Sequence, residues 1–263
     1  MSEPWSIVVC LKQVPDADDV TIDPDTGTLN RSEAAAVLNS PDRNAVEAGL
    51  GLTETVDGTV TAVTMGPPGA TAVLEVAVGM GCDDGVLVTD RAFAGSDTWP
   101  TSLTLARTAT YYDADVVVCG EETTDSSTGQ VPPGIAAHNG WAQLTYAAEL
   151  NPRPEVGELV ATRNIEGGHE RVAATLPVVV AVGYGENEPR PAGLHRKIYA
   201  ETDFEPTELD ADALGIDPDT VGLQASPTKV AGQETVQPVA RERTVVDSVD
   251  DLAADLLATG VLE

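Results

Sequence analysis

The 263-residue sequence predicts an α/β fold: an open, mostly parallel, doubly wound sheet with an antiparallel extension and an extended C-terminal arm. Three observations predict it. Short apolar segments alternate with helical patterns at the pitch of βαβ units, whose right-handed crossovers build a parallel sheet. Val116, Val117 and Val118 form a β-branched run with no polar alternation, as a strand buried on both faces requires. From Gln143 the character changes to alternating segments around Gly167-Gly168, which suit an antiparallel pair.

Taken in order, Ser6 to Leu11 is the first strand, with Lys12 at its carboxyl end and Pro15 stopping it. Val20 to Asn30 holds two β-prone pieces around Pro24, Asp25 and Gly27, a hairpin excursion. A helix follows, with Ser40 as N-cap and Pro41 at its first position, where a missing donor costs nothing. Val46, Leu50 and Val56 mark its apolar face. Thr59 to Met65 is the second strand. Val73, Leu74, Val76, Ala77 and Met80 recur at helical spacing in a helix from Ala70 to Met80. Gly85 to Val88 is the third strand. After the loop Asp90 to Pro100, Ser96 or Asp97 can cap a helix running to about Asp113.

The valine run is the fourth strand. It ends at Gly120, and Glu121 to Gln130 contains no large apolar side chain before a helix body at Gly134 to Ala137. A strand, a polar loop and a helix start together aim backbone N–H groups at an anion. Asp125, Ser126, Ser127 and Thr128 can cap that helix, or hydrogen-bond a ribose or phosphate, or do both. Gln143 to Leu150 is a further strand, Glu158 to Asn164 and His169 to Thr175 are the antiparallel pair, and Val178 to Val182 is one more buried strand. Leu194 to Tyr199 is a short helix carrying His195, Arg196 and Lys197. Thr202 to Arg243 has little periodicity and buries little of itself, so it is expected to be disordered or laid along another chain. Val245 to Leu257 is an amphipathic helix. The expected division is residues 1–200 as a nucleotide-binding domain and 201–263 as an arm.

Forty-three acidic residues against 14 basic ones give a formal net charge of −29, which excludes a nucleic-acid surface. Only Lys12, Lys197 and Lys229 are lysines. Such a surface suits a cytosol of very high salt, where the Debye length shrinks to about 3 Å and self-repulsion is screened. Cys10, Cys82 and Cys119 are scattered in apolar contexts and are expected to be buried thiols of a reduced, cytoplasmic compartment. No segment approaches a membrane span, so the protein is not expected to be membrane-embedded. No Ser-His-Asp or Cys-His grouping is evident, and His138, His169 and His195 lie in unrelated segments. Lys12, Asn39 to Asp42, Met65-Gly66 and Gly120 to Val131 all fall at carboxyl ends of strands, where ligands of such sheets bind. No G-x-G-x-x-G follows the first strand, and no P-loop lysine follows the fourth.

Several motifs then converge on one family. V-V-C-L-K-Q-V-P-D (Val8 to Asp16), I-D-P-D-T-G-T-L-N-R, and L-N-S-P-D-R-N-A-V-E-A (Leu38 to Ala48) open the series. M-G-P-P, M-G-C-D, G-E-E-T-T-D-S-S-T-G-Q-V, L-P-V-V-V and N-E-P-R-P-A-G-L follow in the same order. Nearly the whole chain resembles the β-subunit of electron transfer flavoprotein. The resemblance implies an adenine nucleotide α-hydrolase-like sheet and an obligate heterodimer whose α-subunit holds a redox FAD. It also implies AMP, or a second FAD in members that bifurcate electrons from NADH, bound by this subunit. By motif, the nucleotide contacts would be Cys10, Asn39, Ser40, Pro41, Asp42, Met65, Gly120, Glu121, Glu122, Thr123, Thr124, Asp125, Ser126, Ser127, Thr128, Gly129, Gln130 and Val131. Arg190, Leu194, His195, Arg196 and Lys197 would form the partner-docking segment, with Leu194 as the apolar anchor. Donors would be dehydrogenases of the acyl-CoA or another type, and the acceptor a membrane quinone reductase. The stretch Asp90 to Ser102 is similar to that of bifurcating members. The sequence departs from the family at Glu122, Thr124, Ser126-Ser127 and Asn164. On this resemblance the chain is a carrier subunit and not an enzyme by itself. A free-standing adenine-nucleotide-binding or hydrolysing module is the alternative.

Overall fold

Residue alternation in β1 (Trp5–Leu11) sets up two apolar layers: Ile7, Val9 and Leu11 face one, Val8 and Cys10 the other. The computed structural model describes residues 3–16, 21–22, 29–30, 36–229 and 245–259. The described residues form two units, Met1–Ala231 and Gly232–Glu263.

In the first unit β1 is followed by β2 (Gln13–Pro15), β3 (Thr21–Ile22), β4 (Leu29–Asn30), β5 (Ala36–Leu38) and α1 (Ser40–Thr53). Next come β6 (Gly58–Met65), α2 (Thr71–Met80), β7 (Asp84–Val88), α3 (Thr98–Tyr111), β8 (Val116–Gly120) and α4 (Val131–Asn139). The antiparallel part is β9 (Ala142–Arg153), β10 (Glu158–Ile165) and β11 (Gly168–Thr175), after which β12 (Val178–Val182) returns to the parallel sheet. The unit ends with α5 (Leu194–Thr202), β13 (Thr207–Leu209) and a short α6 (Gly222–Ala225).

The nine-stranded sheet runs β11-β10-β9-β12-β8-β1-β6-β7-β13. Winding proceeds outward from β1 through β6 to β7, then crosses back to β8 on the other side of β1. The reversal therefore lies between β1 and β8, whose carboxyl ends are Leu11 and Gly120. All five residues of β8 are buried, as are all five of β12. α1 and α2 cover one face, where Val46, Leu50, Leu74 and Val78 meet Ile7, Val60 and Val118. α3 and α4 cover the other, where Leu105, Ala109 and Ile135 meet Val8, Val117 and Val179. α1 lies so close to the sheet that a Cβ at Gly49 would come within 2.8 Å of Val9.

The expected strands and helices are present, with several shifts. The excursion at residues 20–30 forms an antiparallel pair, Thr21 with Asn30 and Ile22 with Leu29, while its turn at Pro24, Asp25 and Gly27 lies outside the described residues. Ser40 is not the cap of α1. Asn39 occupies the cap position, and its side chain is committed elsewhere, so no side-chain cap forms. Asp97, not Ser96, caps α3 by accepting from the Trp99 N–H. Asp125 to Thr128 do not cap α4: Gln130 stands at the cap position without a side-chain bond.

The largest difference is in the tail. Thr207 to Leu209 pair in parallel with Val86 to Val88 as the outermost strand, and Leu209, Ala211, Leu214, Ile216 and Val221 are buried in the second layer. Asp90 takes the Ala211 N–H at 3.2 Å, and Asp97 takes the Thr228 N–H at 2.7 Å. Such donors hold both carboxylates below their ordinary range. For Asp90 the Ala92 N–H is the main cause, and at Asp97 burial is outweighed by Thr228. Residues 201–229 thus belong with the sheet, and the unit boundary falls after Ala231 instead of after residue 200.

In the second unit, α7 (Val249–Ala258) is capped by Ser248, which accepts from the Asp251 N–H at 3.1 Å. Val249, Leu252 and Leu257 on it are exposed. Among the described residues no helix is long and apolar enough to cross a membrane.

Candidate functional site

Three chain segments meet at the carboxyl ends of β1 and β8. The Lys12 N–H donates to Asp42 Oδ2 at 2.7 Å, and the Asn39 N–H donates to the Lys12 carbonyl at 3.0 Å. Asn39 Nδ2 donates to Asp42 Oδ1 at 2.9 Å and to the Glu122 carbonyl at 3.0 Å. The Thr124 N–H donates in turn to Asn39 Oδ1 at 3.1 Å. One buried amide side chain therefore grips the loop after β8 by both of its polar atoms. Gly120 is required here, because a Cβ would strike the Asp42 carboxylate. Burial drives the Asp42 pKa up to about 7, against the opposing hydrogen bonds from Asn39, the Lys12 N–H and the Gly120 N–H.

Above this buried frame lies a polar rim. Lys12 Nζ donates to both Asp125 oxygens at 2.7 Å, and Thr123 Oγ1 donates to Asp125 Oδ1 at 2.7 Å. Partial burial of Asp125 is outweighed by the Lys12 and Thr123 bonds, so its carboxyl stays below the usual range. The loop turns through left-handed backbone at Ser127 (φ 44°) and Gly129 (φ 61°). Pro132 and Pro133 in the first turn of α4 carry no N–H, so the helix start supplies less than the sequence reading expected. The amides of Thr128, Gly129 and Val131 donate to no protein group among the described residues. These three donors and the Ser126 and Thr128 hydroxyls all belong to the half-exposed loop after β8 and the start of α4, and the Lys12 ammonium meets that loop at Asp125 and Ser126. That set fits the phosphate and ribose oxygens of a nucleotide.

Next to this set the surface turns acidic. Burial first, then the charges of Glu122 and Glu186, raise the Glu121 pKa, against the opposing influence of the Tyr146 hydroxyl. Tyr146 sits in a bulge of β9 with φ 55°, a conformation rare for so large a residue. Asn164 Nδ2 donates to Glu186 Oε1 at 2.6 Å, and His169 Nδ1 lies 2.7 Å from Asn164 Oδ1.

The structure thus brings together Asn39, Asp42, Gly120, Glu122, Thr123, Thr124, Asp125 and Ser126. Asn39 and Asp42 are buried, Ser40 is exposed on the first turn of α1, and Met65 ends β6 at the same edge. Cys10 and Cys119 are buried register partners on β1 and β8, both free thiols. The Cys119 pKa is pushed up by its hydrogen bond with Cys10 and by burial. Lys12, Tyr146 and Glu186 were not among the motif-derived contacts. Lys12 carried a signal, since it directly follows the first strand. Tyr146 and Glu186 carried none, because only the strand order sets β9 and β12 beside β8.

The segment expected to dock partners lies apart, along α1 and α2. Arg190 forms a double clamp, with Nη2 at 2.8 Å from Glu47 Oε1 and 2.8 Å from Glu54 Oε1. Asn44 Nδ2 donates to the Asn187 carbonyl at 2.8 Å, and Asn187 Nδ2 donates to the Asn44 carbonyl at 2.9 Å. Arg196 donates to the Cys82 carbonyl at 2.9 Å. Leu194 is 72% exposed, and Ile198 and Tyr199 are exposed on the same helix. A depression of about 280 Å³ at the amino-terminal ends of β8 and β12 is lined by Ala114, Asp115, Leu176 and Pro177. It lies at the opposite end of the sheet from the polar set. Among the described residues no cluster of His, Cys, Asp and Glu could hold a metal ion.

The electron transfer flavoprotein domain family matches residues 26–212. The chain is 37% identical over 230 residues to the electron transfer flavoprotein subunit beta of Thermoanaerobacterium thermosaccharolyticum, covering 88% of each chain. It is 36% identical over 249 residues to the protein FixA of Azotobacter vinelandii, covering 92% of this chain and 88% of that one. It is also 37% identical over 226 residues to subunit CarD of the caffeyl-CoA reductase-Etf complex of Acetobacterium woodii, covering 85% of each. With a nine-stranded, mostly parallel sheet and matches of this length, the chain belongs to the electron transfer flavoprotein family, among its beta subunits and FixA proteins.

Proposed function

We propose that this beta subunit binds an adenine nucleotide, AMP or a second FAD, at the carboxyl ends of β1 and β8. In this reading it is the carrier half of a heterodimer whose α-subunit holds FAD. The observation that carries the reading is the loop after β8 at the winding reversal, where the Thr128, Gly129 and Val131 amides have no protein acceptor among the described residues and Lys12 reaches in from the end of β1 to Asp125 and Ser126. Lys12 and the loop amides would hold phosphate oxygens, and Ser126 and Thr128 would hold ribose or phosphate. Asp125 orients Lys12 and would share it with an arriving phosphate. A bound flavin supplies the redox chemistry, and the protein supplies binding and orientation.

Of the 201–263 arm expected to pack on the α-subunit, α7 with its exposed Val249, Leu252 and Leu257 would supply the apolar face, and residues 230–244 lie outside the described residues. Leu194, with His195, Ile198 and Lys197 around it, would seat on dehydrogenases of the acyl-CoA or another type. Arg190 and Arg196 are tied to this chain's own groups, so their part in docking is to shape the segment. The acceptor would be a quinone-reductase-like protein, and the setting a cytoplasm of high salt. The likeness of Asp90 to Ser102 to bifurcating members favours the second FAD.

The test is to co-express the chain with its α-subunit, purify the complex in high salt, release the nucleotides and count them. Two flavins per heterodimer support the bifurcating form, and one flavin with one AMP supports the simple carrier. A complex free of adenine nucleotide in this subunit removes the reading. Asp125→Ala is expected to weaken nucleotide retention about tenfold or more, since a charge-assisted partner of Lys12 is lost. Leu194→Ala is expected to leave nucleotide content unchanged and to slow reduction by dehydrogenase.

A further inference from the structure

We infer that Asp42 is a positioning residue: acting through Asn39, it sets the path of the loop segment Glu122 to Thr124 and hence the shape of the nucleotide site. This rests on the nucleotide reading above for its functional consequence, though not for its structural content.

Asp42 is 4% exposed and Asn39 fully buried, so neither presents its polar atoms at the surface as a ligand group would. The hydrogen-bond partners of the Asp42 carboxylate are donors, the Lys12 N–H and Asn39 Nδ2, and the nearby Gly120 N–H also favours its charged form. That arrangement dictates the orientation of the Asn39 amide. With Nδ2 turned to Asp42, Oδ1 must face the other way, and there it receives the Thr124 N–H at 3.1 Å. The second hydrogen of Nδ2 goes to the Glu122 carbonyl. If the amide flipped, an N–H would face the Thr124 N–H and an oxygen would face both the carboxylate and the Glu122 carbonyl. The carboxylate adds a charged acceptor to the two backbone groups that oppose the flip. Asp125 and Lys12 sit immediately beyond the clamped segment. The side chain of Lys12 thus meets the loop from above, while its backbone N–H is tied to Asp42 below.

Gly120 supplies a second, independent handle on the same carboxylate. Its missing Cβ is the space that Asp42 Oδ1 occupies. The titratable side chains coupled to the carboxylate by charge are Lys12, directly after β1, and the Cys119 thiol of β8, and neither side chain hydrogen-bonds Asp42.

The experiment uses the co-purified heterodimer with Asp42→Asn and, separately, Gly120→Ala. Amide hydrogen exchange is followed in peptides covering residues 121–131 and 116–119, with released nucleotide counted in parallel. Asp42→Asn keeps shape and removes a buried charge, so the thermal midpoint at pH 8 is expected not to fall. Its own amide now competes with Asn39, and exchange over residues 122–124 is expected to accelerate about tenfold, with β8 unchanged. Nucleotide release is expected to quicken by a similar factor, and Gly120→Ala is expected to reproduce the exchange pattern. A uniform rise in exchange with a lowered midpoint would mark Asp42 as merely structural and overturn the inference. So would unchanged exchange over residues 122–124. If the loop loosens while the wild-type complex contains no nucleotide in this subunit, the positioning role stands and the nucleotide reading falls.

Discussion

Two loops leave the carboxyl edge of the sheet side by side, and both are held by α1, but by different physics. The loop after β8 is held at the start of α1 by a buried carboxylate and a buried amide. The segment after β12 is held along the flank of α1 by a half-buried arginine between two glutamates and by an amide exchange between Asn44, which is buried, and Asn187. Buried hydrogen bonds are shielded from salt and costly to leave unmade, whereas exposed ion pairs contribute little and are screened. The Asn39–Asp42 frame of the first loop is therefore held independently of salt, and in the second segment the Arg190 clamp, not the Asn44–Asn187 exchange, is expected to weaken as ionic strength rises.

The sharpest test of that contrast is pH. The folded-state pKa of Asp42, about 7, is raised above its ordinary value by burial. Its contribution to stability is thus fully present below the unfolded pKa of about 4 and is lost as pH rises through about 7. A shift of this size corresponds to a stability change on the order of 4 kcal/mol between those limits. Asp42→Asn is expected to flatten this part of the unfolding free energy measured by denaturant titration from pH 4 to 8. An unaltered slope would locate the titration elsewhere.

Next in size is Asn39→Ala. It leaves the Thr124 N–H and the Glu122 carbonyl without their buried partner, and is expected to cost about 2 kcal/mol by urea unfolding, with the same cost at low and high salt. A loss that vanished in high salt would contradict the contrast. The smallest effect is expected from Arg190→Ala: about 1 kcal/mol at low ionic strength, shrinking toward zero in molar salt. Glu47, whose carboxyl is kept below the ordinary range by Arg190 despite partial burial, should then titrate at higher pH, which NMR of its side chain can follow.

Much of this was legible in the sequence. The valine run of β8 could only be a doubly buried strand, and the polar loop after it could only emerge at a carboxyl end. Lys12 was legible as a side chain at the same edge. The Asn39–Asp42 frame was not, because Asn-Ser-Pro-Asp before a helix looks like an ordinary cap. Strand order alone puts Glu122 and Thr124 over Asn39 and withdraws Asn39 from capping. Thr207 to Leu209 were likewise illegible: three residues carry too little periodicity, and their pairing with β7 depends on contacts more than a hundred residues apart in sequence. The weakness of the α4 start as an anion site was written in Pro132 and Pro133, which have no N–H to give.

By itself the sequence determined most of the strands and helices, and which loops stand at the carboxyl edge of the sheet, because hydrophobic period and turn chemistry are local properties. Only the tertiary structure decided which of those loops touch and which acids are buried. It also decided that the region after α5 closes the sheet, since burial and hydrogen-bond partnership arise from strand order, which no local pattern encodes.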